Sequence, residues 1–296
     1  MVQDMALLVQ YVVVGLAVGS LYALVALGIV LLYRTSRILN FAHGDLATFG
    51  TFIAFALLTA WRWPFAAASL GSLLTTAVVG AAFFFLVIRP AKESTLLGKI
   101  VITLGLALVL QGATVILWGT GTKILPFPLS DIKVYRLGQV VVSQISVGSF
   151  AVGLALMGAL YVLVQHTRVG LAMRAVSQDT VAAQVLGIPV KQIFALTWGL
   201  ASALGAAAGI LLAPATLLDP YMMLDPFLKG FAAAVLGGID SMPGAAVGGL
   251  LLGVLEALFG GYVSVKFKTT LAFLIIIAVL VVRPEGLLGR EYKRRV

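Results

Sequence analysis

Arg168-Val-Gly-Leu-Ala-Met-Arg174-Ala-Val-Ser177-Gln-Asp179-Thr-Val-Ala-Ala-Gln-Val-Leu186-Gly187-Ile-Pro189-Val-Lys191-Gln192 is a polar stretch between two long apolar runs, 144–165 and 192–213. The runs on either side belong in lipid, so this stretch faces water. Within it, Ser177 is placed to cap a helix running from Gln178 to Leu186, and Asp179 near the start suits the positive end of the helix dipole. Gly187 fits the stop and Pro189 forbids continuation. The expected helix has two to three turns. Val181, Ala182, Val185 and Leu186 share one of its faces at helical spacing. Two readings follow for such a segment. One is an amphipathic helix lying on the lipid surface. The other is a knob that fits a groove on a cytoplasmic partner.

The rest of the chain sets the solvent. Of 296 residues, 61% are hydrophobic and 10% are charged, against roughly 25% charged in soluble domains. The mean hydropathy is +1.11. That much apolar surface has no place to hide except a bilayer. About 20 apolar residues cross one as helix. On that measure the spans are 7–33, 41–60, 64–88, 100–119, 144–165, 192–213, 227–238 with 244–262, and 268–283. The seventh block is split at Gly237–Gly244, so the chain reads as an all-α bundle of eight or nine spans with broken helices. It is one transmembrane domain, 1–296, with a cytoplasmic loop at about 166–192. Residues 1–6 contain Asp4 and no Lys or Arg, so the first run reads as a span and not as a cleavable signal.

Cytoplasmic loops of membrane proteins carry excess Lys and Arg. With the N-terminus outside and nine crossings, the inside holds Arg34, Arg37, Arg89, Lys92, Lys99, Arg168, Arg174, Lys191, Arg283, Arg290, Lys293, Arg294 and Arg295. The outside holds Arg62, Lys123, Lys133, Arg136, Lys229, Lys266 and Lys268. The basic tail Arg290–Val296 then places the C-terminus in the cytoplasm. The +9 charge is therefore read as orientation, not as nucleic-acid binding. The long outside loop Thr120–Val142 has the composition of a small external cap.

Two breaks echo each other, Asn40-Phe-Ala-His43-Gly-Asp45 near the front and Gly237-Gly238-Ile-Asp240-Ser241-Met-Pro243-Gly244 near the back. Asn40 and Asp240 or Ser241 suit N-caps, and Pro243 suits a first turn. Paired interruptions of this kind point to a transport path in membrane carriers; ordinary tight turns are the other reading. Gly15/Gly19, Gly205/Gly209, Gly244/Gly248 and Gly249/Gly253 have the spacing of close helix packing. Glu256 lies within a span, where ionisable groups are costly. It is expected to be paired or protonated, with His43, Asn40 and Asp45 satisfying broken helix ends. The candidates for a path or gate are Asn40, His43, Asp45, Gly237, Gly238, Asp240 and Glu256.

Nothing points to catalysis or a metal. There is no cysteine and there are two histidines, His43 and His166, too few for the usual metal sites. Gly98-Lys99-Ile100 lacks the upstream glycine and the following Ser/Thr of a phosphate loop. If ATP drives this chain, another subunit binds it.

The sequence resembles the LivH-type branched-chain amino acid permeases. Ala182-Ala183 with Gly187-Ile188 looks like the coupling-helix signature of ABC importer permeases. Gly19-Ser-Leu-Tyr22-Ala-Leu24 followed by Asn40–Asp45 resembles the family's front motif. Ala234-Val-Leu-Gly237-Gly238-Ile239, then Pro243-Gly244-Ala245 and Gly248-Gly249, resembles the rear one. Arg283-Pro-Glu-Gly286-Leu-Leu-Gly289 resembles its ending. Arg34-Thr-Ser-Arg37 departs from the family's apolar link. The resemblance implies one subunit of an importer in a bacterial inner membrane. It would work with a second homologous, LivM-like permease, two cytoplasmic LivG/LivF-like ATPases carrying ATP and Mg, and an external solute-binding protein. Ser177, Asp179, Ala182, Ala183, Leu186, Gly187 and Ile188 would form the coupling helix. Close relatives are thought to move urea, amides or aromatic acids, so the cargo stays open. A secondary transporter coupled through His43, Asp45 or Glu256, and a scaffold without transport, are the rival readings.

Overall fold

The computed structural model describes residues 2–91, 95–137 and 140–289. Lys92 and the tail Arg290–Val296, both used for orientation, lie outside the described residues. Every apolar block of the sequence folds as helix. These helices are α1 (Val2–Ser36), α2 (His43–Thr59), α3 (Phe65–Phe83, extended by a π-helical turn Phe84–Ile88), α4 (Leu96–Trp118) and α5 (Gln144–His166). The polar stretch forms α6 (Arg168–Gln178) and α7 (Thr180–Val185), and α8 (Val190–Thr216), α9 (Leu224–Gly237), α10 (Met242–Tyr262) and α11 (Lys268–Val282) follow. Among the described residues six helical segments are long and apolar enough to cross a membrane: Met5–Ser36, Phe65–Ile88, Leu97–Trp118, Gln144–His166, Val190–Thr216 and Met242–Tyr262. The remaining apolar blocks form the shorter helices α2, α9 and α11. The chain is thus an all-α membrane bundle with one small addition. In the expected external cap, β1 (Val134–Leu137) pairs antiparallel with β2 (Val140–Ser143), Tyr135 opposite Val142.

The described residues fall into two compact units. One draws on Leu31–Phe127 and Leu156–Leu224. Its centre is a seam of α2, α3 and α8 in which small residues let the backbones meet. A side chain on Gly50 would strike Thr76 and Ala206, one on Gly80 would strike Ser202, and one on Gly209 would strike Thr51. Ser72 Oγ donates to Gly50 O across the seam at 2.5 Å. Without a hydrophobic drive between helices in lipid, close packing and such hydrogen bonds hold the elements together. Beside the seam, Trp198, Phe83, Phe84, Ile88 and Leu32 form an apolar cluster.

The other unit draws on Met1–Val30, Pro128–Ala155 and Asp225–Val296. Here the glycine pairs read from the sequence are the seam itself. Gly253 faces the backbone of Gly15 and Gly19, and Gly249 faces Ala23, so α1 and α10 touch main chain to main chain. Gly205 and Gly209 serve the first unit in the same way, against His43, Ala47 and Thr51.

Candidate functional site

The polar stretch is two helices, and its capping differs from the expectation. Thr167 Oγ1 accepts from Gly170 N–H at 3.1 Å to start α6. Arg174 reaches back from α6 to Gln165 Oε1 at 2.9 Å, tying it to the end of α5. Ser177 is not the cap of α7. It lies within α6 and donates to Arg174 O at 2.8 Å. Asp179 is the cap, with Oδ1 accepting from Val181 N–H at 2.8 Å and Ala182 N–H at 2.9 Å. A carboxylate there also meets the positive helix end, which a hydroxyl does not. The helix is correspondingly shorter than expected, Thr180–Val185.

The stop matches the sequence. Gly187 has φ +81, Ile188 N–H donates to Ala183 O at 3.0 Å and Gly187 N–H to Gln184 O at 3.0 Å. Two such bonds around a left-handed glycine form a Schellman cap. Between these fixed ends, Val181, Val185 and Leu186 are 72%, 82% and 79% exposed, and Ala182 is exposed with them, whereas Ala183 is 2% exposed. Ala183 seats α7 on its own unit. The other four present an apolar face outward on a segment held rigid at both ends.

The front break lies in the first unit. Arg37 takes φ 56 after α1. Asn40 does not cap α2 directly, because its Oδ1 accepts from Ala42 N–H at 3.0 Å, closing a turn just before the helix. Phe41 N–H donates to Thr103 Oγ1 of α4 at 3.3 Å. The side chain of His43 does not satisfy the helix end as expected. His43 is buried against Gly205 and Ala47, and its Nε2 has no hydrogen-bond partner among the described residues. Asp45 Oδ1 accepts from Gln111 Nε2 at 2.8 Å. Among the described residues no His–carboxylate relay is assembled here.

The rear break lies in the second unit. Gly238 has φ +106, and Ser241 Oγ caps α10 by accepting from Gly244 N–H at 3.1 Å, with Pro243 in the first turn. Gly237 and Gly244 meet backbone to backbone. Leu287 N–H donates to Leu236 O at 2.8 Å and Leu288 N–H to Gly237 O at 3.0 Å. The Arg283–Gly289 motif is therefore a clip on the open carbonyls at the end of α9. Asp240 sits in the turn between α9 and α10.

Glu256 is paired, and the pairing corrects the charge map. Lys229, assigned from sequence to an outside loop, is in α9 and 6% exposed. Its Nζ lies 2.8 Å from Glu256 Oε1 of α10 and 2.8 Å from Asp225 Oδ2 one turn earlier. Thr269 Oγ1 of α11 donates to Asp225 Oδ1 at 2.8 Å. The i, i+4 spacing of Asp225 and Lys229 was the available signal.

A family model described as branched-chain amino acid transport system / permease component matches residues 11–281. Pseudomonas aeruginosa BraD, a high-affinity branched-chain amino acid transport system permease protein, is 34% identical over 97% of this chain and 97% of its own. Escherichia coli K12 LivH, a permease protein of the same description, is 31% identical over 95% of this chain and 96% of its own. A probable LivH from Methanocaldococcus jannaschii is 30% identical over 93% and 91%. With these matches running through both helix breaks, α7 and the α9–α10 hairpin, the chain belongs to the family of branched-chain amino acid transport system permease components.

Proposed function

We propose that this chain is the membrane-spanning subunit of a binding-protein-dependent ABC importer that passes branched-chain amino acids across a bacterial inner membrane. The observation that carries it is α7, a capped helix whose apolar residues face out from the protein in a member of this permease family. ATP and Mg belong to two cytoplasmic ATPase subunits. These grip Val181, Ala182, Val185 and Leu186, and α6 passes their motion to α5 through Arg174. A homologous second permease and an external binding protein complete the assembly. The whole chain acts as one permease domain. All nine long or apolar helices other than α6 and α7 cross or enter the bilayer, with the N-terminus outside and the C-terminus in the cytoplasm. Asn40, His43, Asp45, Gly237, Gly238, Asp240 and Glu256 belong to the path or its gates, His43 and Glu256 as buried supports of the breaks.

Co-purification tests this reading. The chain is expressed with the ATPases, permease and binding protein encoded beside it and captured in mild detergent. The expected result is recovery of two ATPase subunits and a second permease. A homo-oligomer without ATPase, although the ATPase is expressed, would overturn it in favour of an ion-coupled carrier.

A further inference from the structure

A cavity of about 510 Å³ opens beside α7 in the first unit. Its apolar wall includes Phe84, Ile88 and Phe194, and its cations are Arg89, Lys99 and Lys191. Among the described residues no Asp or Glu lines it, and none makes an ion pair to these cations. The backbone adds to this positive field. Val190, Lys191 and Gln192, the first turn of the long helix α8, line the cavity. Val190 N–H donates to Ile188 O at 2.8 Å and Gln192 N–H to Pro189 O at 2.9 Å, so this end adds its helix dipole and not a row of free donors. Lys99 lies in the first turn of α4. One helix start and three cations converge on one space, an arrangement that favours an anion.

The apolar surroundings decide which anion. Phe85, Leu86 and Val87 of the same π-helical turn are exposed, as are Leu97 and Val101 on either side of Lys99. A free anion would use none of this surface, whereas a lipid uses both halves, its headgroup in the cavity and its acyl chains along the exposed residues. Basic pockets between transmembrane helices hold anionic headgroups in this manner. We propose that this cavity is a binding site for the phosphate of an anionic phospholipid, seated directly against the C-terminal end of the α7 segment through Gln184 and Ile188. The bound lipid braces the junction of α7 and α8, so the coupling segment is stiffest in an anionic membrane. The site needs the importer reading only for its leaflet and for the role of α7.

Native mass spectrometry of the purified full chain, with phosphatidylglycerol or phosphatidylcholine added, tests the proposal. The expected result is one retained phosphatidylglycerol and no retained phosphatidylcholine. Each Lys or Arg near an anionic headgroup contributes roughly fivefold, so R89Q/K99Q/K191Q weakens retention on the order of 100-fold. K123Q/K133Q/R136Q leaves it unchanged, and R89K/K99R/K191R, which keeps the charges, restores it. Equal retention of both lipids, or full retention by the neutralised variant, would overturn the site. Complete displacement by inorganic phosphate alone would make it a phosphate site, and expulsion of the lipid on adding the ATPase subunits would make it part of their docking surface; either contradicts the proposal. The readout is lipid binding, so its failure leaves the importer reading standing, and failed co-purification leaves the lipid site standing.

Discussion

Lys229 Nζ stands 2.8 Å from Glu256 Oε1 in the interior of the second unit, joining α9 to α10, and holds Asp225 at the same distance. A buried ion pair is weak evidence for stability, but breaking one leaves a charge without compensation, at about 3–5 kcal/mol in soluble proteins. The two partners are not equivalent. Glu256→Gln leaves Lys229 with Asp225, whereas Lys229→Met strands Glu256. The expected order of melting temperature in detergent is wild type, then Glu256→Gln, then Lys229→Met, with the double variant recovering part of the loss. Equal losses from the two single changes would mean that Asp225 does not share the charge.

Gly253 packs against the main chain of Gly15 and Gly19, while Gly105 on α4 has open space where a side chain would go. Gly253→Val should therefore push α1 and α10 apart and lower the melting temperature sharply. Gly105→Ala should be neutral or raise stability by about 0.5–1 kcal/mol from helix propensity. Thermal melts of the isolated chain separate the two.

The α7 cap gives a local test. Asp179→Ala removes the acceptor for two N–H groups and should cost about 1 kcal/mol of helix stability. Ser177→Ala removes a bond within α6 only. Amide hydrogen exchange at Val181 and Ala182 should quicken about fivefold in the first variant and stay unchanged in the second.

These assignments show what the sequence carried and what it did not. The apolar blocks became helices because lipid leaves the backbone no other partner than itself, and both breaks fell where Gly, Pro and Asn placed them. Lys229 was misplaced because its partner Glu256 is 27 positions away, and only folding brings the two together. The cap was placed at Ser177, with Asp179 given only the dipole. The shift to Asp179 turned on α6 continuing to Gln178, which no local signal fixes. The β1–β2 pair escaped notice because its strands are four residues each. The clip of Leu287 and Leu288 onto α9 is made by backbone groups, which side-chain patterns do not report.

Val185 and Leu186 are 82% and 79% exposed. Val185→Asp with Leu186→Asp should leave expression, insertion and melting temperature near wild type while lowering ATP-driven uptake at least tenfold. Ala183→Asp differs, because Ala183 is buried, and should unseat α7 as well. Loss of the ATPase from detergent-purified complexes of the Val185/Leu186 variant would locate the defect at docking.

The most direct measurement is leucine uptake into proteoliposomes holding this chain with its sister permease and ATPases, the binding protein being supplied outside. The expected result is accumulation that requires ATP on the ATPase side, persists when ion gradients are collapsed, and is abolished by Val185→Asp with Leu186→Asp. Uptake that follows a proton or sodium gradient and continues without the ATPases would contradict it.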